Sequence, residues 1–551
     1  MFRLFSWMMT VLVVATPALA EDKTEEIDKI FSWTKPNEPG CSVAVSQNGK
    51  IVVNKSYGSA DLERDVPITP KTVFDAASVT KQFVAAAVLL LVEDGKLSLT
   101  EDIRKYIPEL PDYGHKVTLD HLMTHTSGIR DWTGIFPLTA GYDDALAITL
   151  RQRGLNFVPG EEFSYSNSGY VLLKEIVART SGMSFDDFTH KRLFEPLGMK
   201  NTAYRTDLRQ VIENRALAYD KGPSGWKMAI KFDNDRGGGG GLLSTPSDLL
   251  IWNDALTSGR LGVFVTEKLH EPATLNSGIK VGYSRGLILE THREAREIWH
   301  SGGAGGYSTF LGRYPEQGLS IAIQCNTDAM SSTGFARRIA DLFLPAAAAQ
   351  SHGSETPPIA AEGVDVTTLD LGSRAGLYFH ETNGEPMQLS VDRGRLRVAA
   401  GPALVAQSRD RFKRWGADVE FFSGDEFDVN FLSPDQFELR STDGKTTRYR
   451  RAKPYTPTAD ELKAFTGRFE SPEIGVVFQF EPKGDGLAVR IEHTPSRVIE
   501  VKPVDRDTFR LGGMTMRFVR DKAGKVVALD YSNPVVRNIK FTRLSDRAGR
   551  R

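Results

Sequence analysis

The sequence predicts a mixed α/β (α+β) domain followed by two all-β barrels. Three observations carry that expectation. Residues 21 to about 345 mix helical and strand-like hydrophobic patterns. Between Pro345 and Thr368 the chain becomes rich in Ala, Pro, Ser and Gly, including Ala346–Ala349 and Pro357-Pro358, the composition of a linker. Beyond it, short stretches of alternating hydrophobicity are separated by turns, which is the pattern of antiparallel strands.

At the N-terminus, Arg3 precedes an apolar stretch from Leu4 to Ala15, then Pro17 and Ala18-Leu19-Ala20. A charged start, an apolar run and small residues describe a secretory signal peptide over residues 1–20, with cleavage expected after Ala20. The run is short for a bilayer span, and an uncleaved anchor is the alternative. Cys41 to Val53 is expected to form a hairpin turning at Asn48-Gly49. Phe83 to Val92 is apolar on every side, so a buried helix should end near Asp94-Gly95. Further helices are expected over Leu119–Thr124, Gly169–Thr180 and Pro246–Leu256, and a late strand over Leu319–Cys325. The two cysteines, Cys41 and Cys325, end strand-like segments. They can pair if those strands are antiparallel neighbours; two buried free thiols are the alternative.

The last third carries a degenerate repeat. Gly376-Leu377-Tyr378 recurs as Gly467-Arg468-Phe469, and Tyr449-Arg450-Arg451 recurs as Phe541-Thr542-Arg543. The expected units are therefore a domain over 21–345, a linker over 346–368, and barrels over 369–453 and 457–547. The 551 residues carry a formal net charge of −1, which supports neither a nucleic-acid partner nor an anionic membrane surface. No segment after the leader is apolar for long enough to hold the chain in a membrane once the leader is removed.

The chemistry concentrates in three places. In Ser78-Val79-Thr80-Lys81, a lysine follows a serine at the spacing of one helical turn, just ahead of the apolar helix. A serine hydroxyl needs a base to become a nucleophile, and a buried lysine holds its proton less tightly than an exposed one. The same spacing occurs at Ser32–Lys35, Ser224–Lys227 and Ser277–Lys280, but no long apolar helix starts at those serines. In Tyr165-Ser166-Asn167, the phenol can relay a proton and the Asn167 amide can orient a carbonyl or the lysine. In His300-Ser301-Gly302-Gly303, small residues behind a polar one leave room for a substrate backbone. The Gly303 N–H can join that of Ser78 in an oxyanion hole. Each motif alone is also satisfied by an ordinary loop or turn.

Taken together and in this order, the three motifs resemble the serine β-lactamase and penicillin-binding-protein superfamily, in its class C-like branch. Two flanking segments also fit: His121-Leu122-Met123-Thr124-His125-Thr126-Ser127-Gly128 and Gly240-Gly241-Leu242-Leu243-Ser244-Thr245. The resemblance implies an antiparallel sheet flanked by helices, with a helical subdomain and the site between them. It implies Ser78 as acyl-enzyme nucleophile, Lys81, Tyr165 and His300 as further catalytic residues, Asn167, Gly302 and Gly303 as substrate-binding residues, and no cofactor or metal. His300 stands where lactamases usually have lysine. With Gly302 and the barrels, that resembles the D-aminopeptidase branch, in which a barrel segment restricts substrate entry.

The expected activity is therefore that of an exported, periplasmic or secreted serine hydrolase. Its substrates would be D-amino-acid peptides, amides or esters, small molecules or short peptides. Esterase, β-lactamase or DD-carboxypeptidase activity is the alternative within the superfamily, and a non-catalytic peptidoglycan- or peptide-binding protein is the alternative outside it. A homodimer is left open.

Three other features invite function. Gly282-Tyr283-Ser284-Arg285-Gly286 fits a nucleophile elbow, but the following Leu287-Ile288-Leu289 predicts a strand where that turn needs a helix. His121 and His125 are spaced like metal ligands, but no glutamate follows His121, and a structural role is expected. Gly237 to Gly241 lacks the Lys-Ser/Thr of a phosphate loop, so close backbone packing is expected there.

Overall fold

The structure, a computed structural model, describes residues 18–545 apart from 140–143, 206, 208, 230–239, 346–358, 366–367, 383, 393, 399–402, 415–426 and 442–443. The expected leader up to Pro17, most of the expected linker and Gly237–Gly239 lie outside the described residues. The expected cleavage point after Ala20 falls in the first turn of helix α1, Ala18–Phe31.

Six strands form one antiparallel sheet: β1 Cys41–Gln47, β2 Lys50–Tyr57, β3 Ile288–His292, β4 Ala295–Ala304, β5 Tyr307–Tyr314 and β6 Leu319–Cys325. Their order is β3-β4-β5-β6-β1-β2, so the two ends of the domain meet in the middle of the sheet. The β1–β2 hairpin turns at Asn48 and Gly49, both with positive φ, as a two-residue turn between twisted strands requires. Along β1 and β6, side chains alternate between two cores. Val43, Val45, Ile321 and Ile323 pack with Ile27, Phe31 and Ile339 on one face. Ala44 and Ala322 face the larger core on the other. That core is built by α2 Thr80–Glu93, α3 Asn167–Ser181 and α4 Pro246–Thr257, while α5 Ser332–Phe343 lies with α1 on the first face. The helix expected from Phe83 starts three residues earlier. The apolar pattern marks only the fully buried turns, and Thr80, Lys81 and Gln82 are buried polar residues invisible to it.

Cys41 and Cys325 are directly opposed in the β1–β6 ladder and joined by a disulfide. The bond ties the first strand of the domain to its last across 284 residues of chain.

The C-terminal region forms two closed eight-stranded barrels, Gly376–Arg451 and Gly467–Arg543. The weak repeat has a structural meaning. In each barrel the first strand pairs with the last. The closing arginine, Arg451 or Arg543, lies over the aromatic ring of the opening strand, Tyr378 or Phe469. The second barrel shares one continuous apolar cluster with Trp132, Ile135, Leu138, Ile148 and Val171 of the first domain. No helix among the described residues is long and apolar enough to cross a membrane.

Reducing the disulfide, or replacing Cys41 by serine, is expected to cost roughly 2–5 kcal/mol of stability, since it frees a very long loop in the unfolded chain. The check is thermal unfolding with and without reductant. An unchanged midpoint would show that the bond carries no stability.

Candidate active site

The site begins with a buried helix. From Thr80 to Leu91 every residue of α2 is buried, so the helix must carry its polar residues inside the protein. A single 3-10 turn, Ala77–Val79, leads into it and holds Ser78. Ala77 adopts a left-handed conformation, φ 47°, costly for a residue with a Cβ. Asp75 holds it there by accepting the Ala77 N–H at 2.7 Å. The strained turn leaves Ser78 partly exposed at the mouth of the helix while Lys81 is fully buried beneath it.

Lys81 Nζ donates to Ser78 Oγ at 3.1 Å and to Asn167 Oδ1 at 2.8 Å. It also lies over two aromatic faces, 4.7 Å from the centre of the Tyr165 ring and 5.4 Å from that of Tyr170. Asn167 is the first residue of α3, and Tyr165 sits just before that helix. The first two sequence motifs therefore meet at the lysine ammonium.

The third motif approaches along a strand edge. β3 pairs with β4 only as far as Trp299, so from His300 onward this side of β4 runs beside the serine turn. Gly302 is packed so closely there that a Cβ would lie 2.4 Å from the carbonyl oxygen of Ala76, so only glycine fits. Gly303, by contrast, is exposed with open space around it.

His300 is buried and its protonation is set by a chain of partners. Its Nδ1 lies 2.5 Å from the Ser301 carbonyl oxygen, which makes Nδ1 the protonated nitrogen and leaves Nε2 to accept from Tyr283 Oη at 3.1 Å. Tyr283 in turn meets His125 Nε2 at 3.2 Å, and His125 Nδ1 accepts the Ser166 N–H at 3.1 Å. The bonds run in one direction: Ser166 N–H to His125, His125 to Tyr283, Tyr283 to His300, His300 to the Ser301 carbonyl. Backbone groups at both ends fix both tautomers. Burial, reinforced by the nearby Lys81 charge, holds the His300 imidazole down at about 3 and the His125 imidazole well below its usual range. Both rings are neutral at neutral pH.

Sequence reasoning missed two parts of this arrangement. Tyr283 lies in the segment that mimics a nucleophile elbow, yet the hydroxyl that matters is its own. Ser284 is fully buried and donates to the carbonyls of Leu269 and Glu271, with no helix following. Asp131 is the other: its Oδ2 accepts both the Asn167 N–H at 2.8 Å and the Asn167 Nδ2–H at 2.9 Å. A lone aspartate in a loop carries no pattern that would single it out. His121 and His125 diverge, His121 closing the cap of helix Leu119–Met123 with Thr118. Gly240 gives its carbonyl to Lys174 Nζ at 2.8 Å.

Comparison with known proteins gives the family. The family model described as Beta-lactamase matches residues 21–344. The chain belongs to that family, within the serine β-lactamase and penicillin-binding-protein superfamily. Penicillin-binding protein 4* of Bacillus subtilis (strain 168) is 28% identical over 446 residues, covering 75% of this chain and 97% of that protein. Protein flp of Staphylococcus aureus (strain N315) is 27% identical over 321 residues, and the match spans 64% of its length. Among solved structures, the D-amino acid amidase of Ochrobactrum anthropi SV3 complexed with L-phenylalanine amide superimposes with a TM-score of 0.51 at 26% identity. It covers 59% of this chain and 98% of the amidase.

The neutral histidines make stability depend on acid. An unfolded histidine binds its proton near 6.5, whereas folded His300 binds it only near 3. Between those values the unfolded chain holds more protons, so stability is complete above about 6.5 and falls as pH drops below it, by up to about 1.4 kcal/mol per pH unit per histidine. Denaturant titration from pH 7 to 4 measures the slope. His300→Gln should lower it by one histidine's share, since His125 and His270 are also held neutral by burial, and an unchanged slope in that variant would place the acid sensitivity elsewhere.

Proposed function

We propose that the protein is an exported serine hydrolase that acts through an acyl-enzyme on Ser78 and prefers amides or short peptides of D-amino acids. The observation that carries the reading is the buried Lys81 amino group, held between Ser78 Oγ and Asn167 Oδ1 and able to take the serine proton once it has given up its own. A base at hydrogen-bond distance from the hydroxyl is what a serine nucleophile requires.

In this mechanism Ser78 Oγ attacks the substrate carbonyl and its proton passes to the Lys81 and Tyr165 side. The oxyanion sits between the Ser78 and Gly303 N–H groups. The leaving amine takes its proton from Tyr165 or Lys81, and water then cleaves the ester at Ser78. Asn167 holds the lysine and faces the substrate, while Gly302 lets the serine turn and β4 come close enough to share one carbonyl.

The substrate class follows from His300. A neutral imidazole offers no positive charge for a carboxylate beside the reacting bond, such as β-lactams and peptides cut at a terminal D-alanine carry. Burial, reinforced by the nearby Lys81 charge, keeps it neutral, which favours an uncharged amide. The resemblance to a D-amino acid amidase supports the same preference. Export is supported by the apolar N-terminal segment and by the disulfide, a bond suited to an oxidising compartment.

The test is turnover of D-alanyl p-nitroanilide, its L-isomer, p-nitrophenyl acetate and a β-lactam. Ser78→Ala is expected to lower kcat by roughly 10⁴-fold or more, and Lys81→Ala by roughly 10²–10⁴-fold. Equal rates for wild type and Ser78→Ala would remove the catalytic reading. A β-lactam turned over faster than the D-alanyl anilide would remove the substrate assignment.

A further inference from the structure

The hydrogen bonds at Lys81 do not end inside the catalytic domain. Asn167 offers the lysine an amide, and an amide has two faces of opposite polarity: the oxygen attracts an ammonium and the NH2 repels it. What selects the oxygen is Asp131, fully buried, whose Oδ2 accepts the Asn167 Nδ2–H and so turns Oδ1 toward Lys81. The same oxygen accepts the Asn167 backbone N–H at 2.8 Å and thereby caps α3, whose own cap residue, Ser166, makes no side-chain cap. Oδ1 of Asp131 accepts the Thr133 N–H at 2.9 Å, so the carboxylate is locked by three donors.

The segment that carries Asp131 is held by the second barrel. The last two strands of that barrel, Val526–Asn533 and Val536–Arg543, are joined at Pro534-Val535, and this tip lies on residues 130–134. Asn533 Nδ2 donates to the Gly134 carbonyl at 2.8 Å. Val535 fills the space where a Gly134 side chain would stand, 2.6 Å from a Cβ built there. The Val535 carbonyl accepts the Asp131 N–H at 3.4 Å and the Asn156 Nδ2–H at 3.0 Å, and Asn156 Oδ1 accepts the Arg537 N–H at 2.8 Å. Beside them Arg130 makes an almost fully buried ion pair with Glu473 of the barrel, whose carboxylate also accepts the Arg153 N–H at 2.7 Å. Trp132, next to Asp131, belongs to the apolar cluster of the barrel core. The first domain also holds the segment, through the Asn167 bonds to Asp131 and through the Trp132 N–H, which donates to Ser168 Oγ at 2.9 Å.

We propose that the second barrel is a working part of the catalytic site: its 533–538 hairpin fixes the segment bearing Asp131, and Asp131 is the positioning residue that sets the Asn167 amide on Lys81. This assigns the barrel a role in acylation itself, distinct from restricting which substrates enter. The inference rests on the reading of Ser78 and Lys81 given above.

The test compares the full-length protein with Asp131→Asn, with the double variant Asn156→Ala/Asn533→Ala, and with Arg468→Ala. Arg468 forms an exposed ion pair with Glu492 on the barrel, remote in the hydrogen-bond pattern from the hairpin. The readouts are kcat and KM on D-alanyl p-nitroanilide and the rate of Ser78 labelling by a fluorophosphonate as a function of pH. Asp131→Asn should lower kcat and the labelling rate by roughly 10²-fold, the cost of a misplaced catalytic group. The double variant should lower both by roughly 10-fold or more, with KM little changed and Arg468→Ala matching wild type. In both affected variants the acid limb of the labelling profile should move to lower pH, because an ammonium that loses its carbonyl partner gives up its proton more readily. A merely structural loosening would lower amplitude without moving that limb. Should the double variant fail to fold, either single replacement carries the same expectation. A double variant, or both singles, with the wild-type labelling rate and limb would overturn the coupling to the barrel. An Asp131→Asn protein with the wild-type limb would overturn the positioning role. Labelling of Ser78→Ala at the wild-type rate would instead bring down the underlying assignment of the nucleophile.

Discussion

The site depends on a single buried ammonium. Lys81 has no exposed surface, so its charge must be satisfied by what surrounds it: the Ser78 hydroxyl, the Asn167 carbonyl and the faces of two tyrosines. Much of the neighbouring structure follows from that need. Helix α2 is buried all round to carry the lysine inside, and the strained Ala77 turn brings the serine back out to the surface. Asp131 uses one oxygen to arrange the amide that receives the ammonium and the other to fix its own segment at Thr133. Histidines on two sides stay neutral, first because they are buried and then because a second positive charge beside the lysine would be costly.

The same constraint explains the substitution on β4. With His300 closed into a chain of hydrogen bonds through Tyr283 to His125, the strand offers shape and a neutral ring in place of a cation. That chain joins the second and third sequence motifs from behind. His125 receives the N–H of Ser166, between Tyr165 and Asn167, while His300 belongs to the strand beside Ser78. The site is thus held from two directions: the buried histidine chain on one side, Asp131 with the barrel hairpin on the other.

Much of this was legible in the sequence because it is local or periodic. The Asn48-Gly49 turn, the apolar run of α2 and the late strand Leu319–Cys325 all declare themselves through patterns of a few residues. The barrels were visible through alternation and a faint repeat, whose arginines turn out to close each barrel over an aromatic ring. The Ser78–Lys81 spacing was common in the chain and became informative only through its company. Asp131 and Tyr283 were not legible, because each works through partners far away in the chain. Asp131 bonds a residue 36 positions on, and Asn533 meets Gly134 across 399. Pairing of the two cysteines stayed open for the same reason, until the register of β1 against β6 placed them face to face.

The central claim is that chemistry passes through an ester on Ser78. Acid-quenching the protein during turnover of p-nitrophenyl acetate, then locating the acyl group by peptide mass spectrometry, tests it most directly. One acetyl ester is expected, on Ser78, accumulating within the first turnover and absent from Ser78→Ala. An adduct on another residue, Ser284 included, or steady turnover with no adduct on the protein, would contradict it.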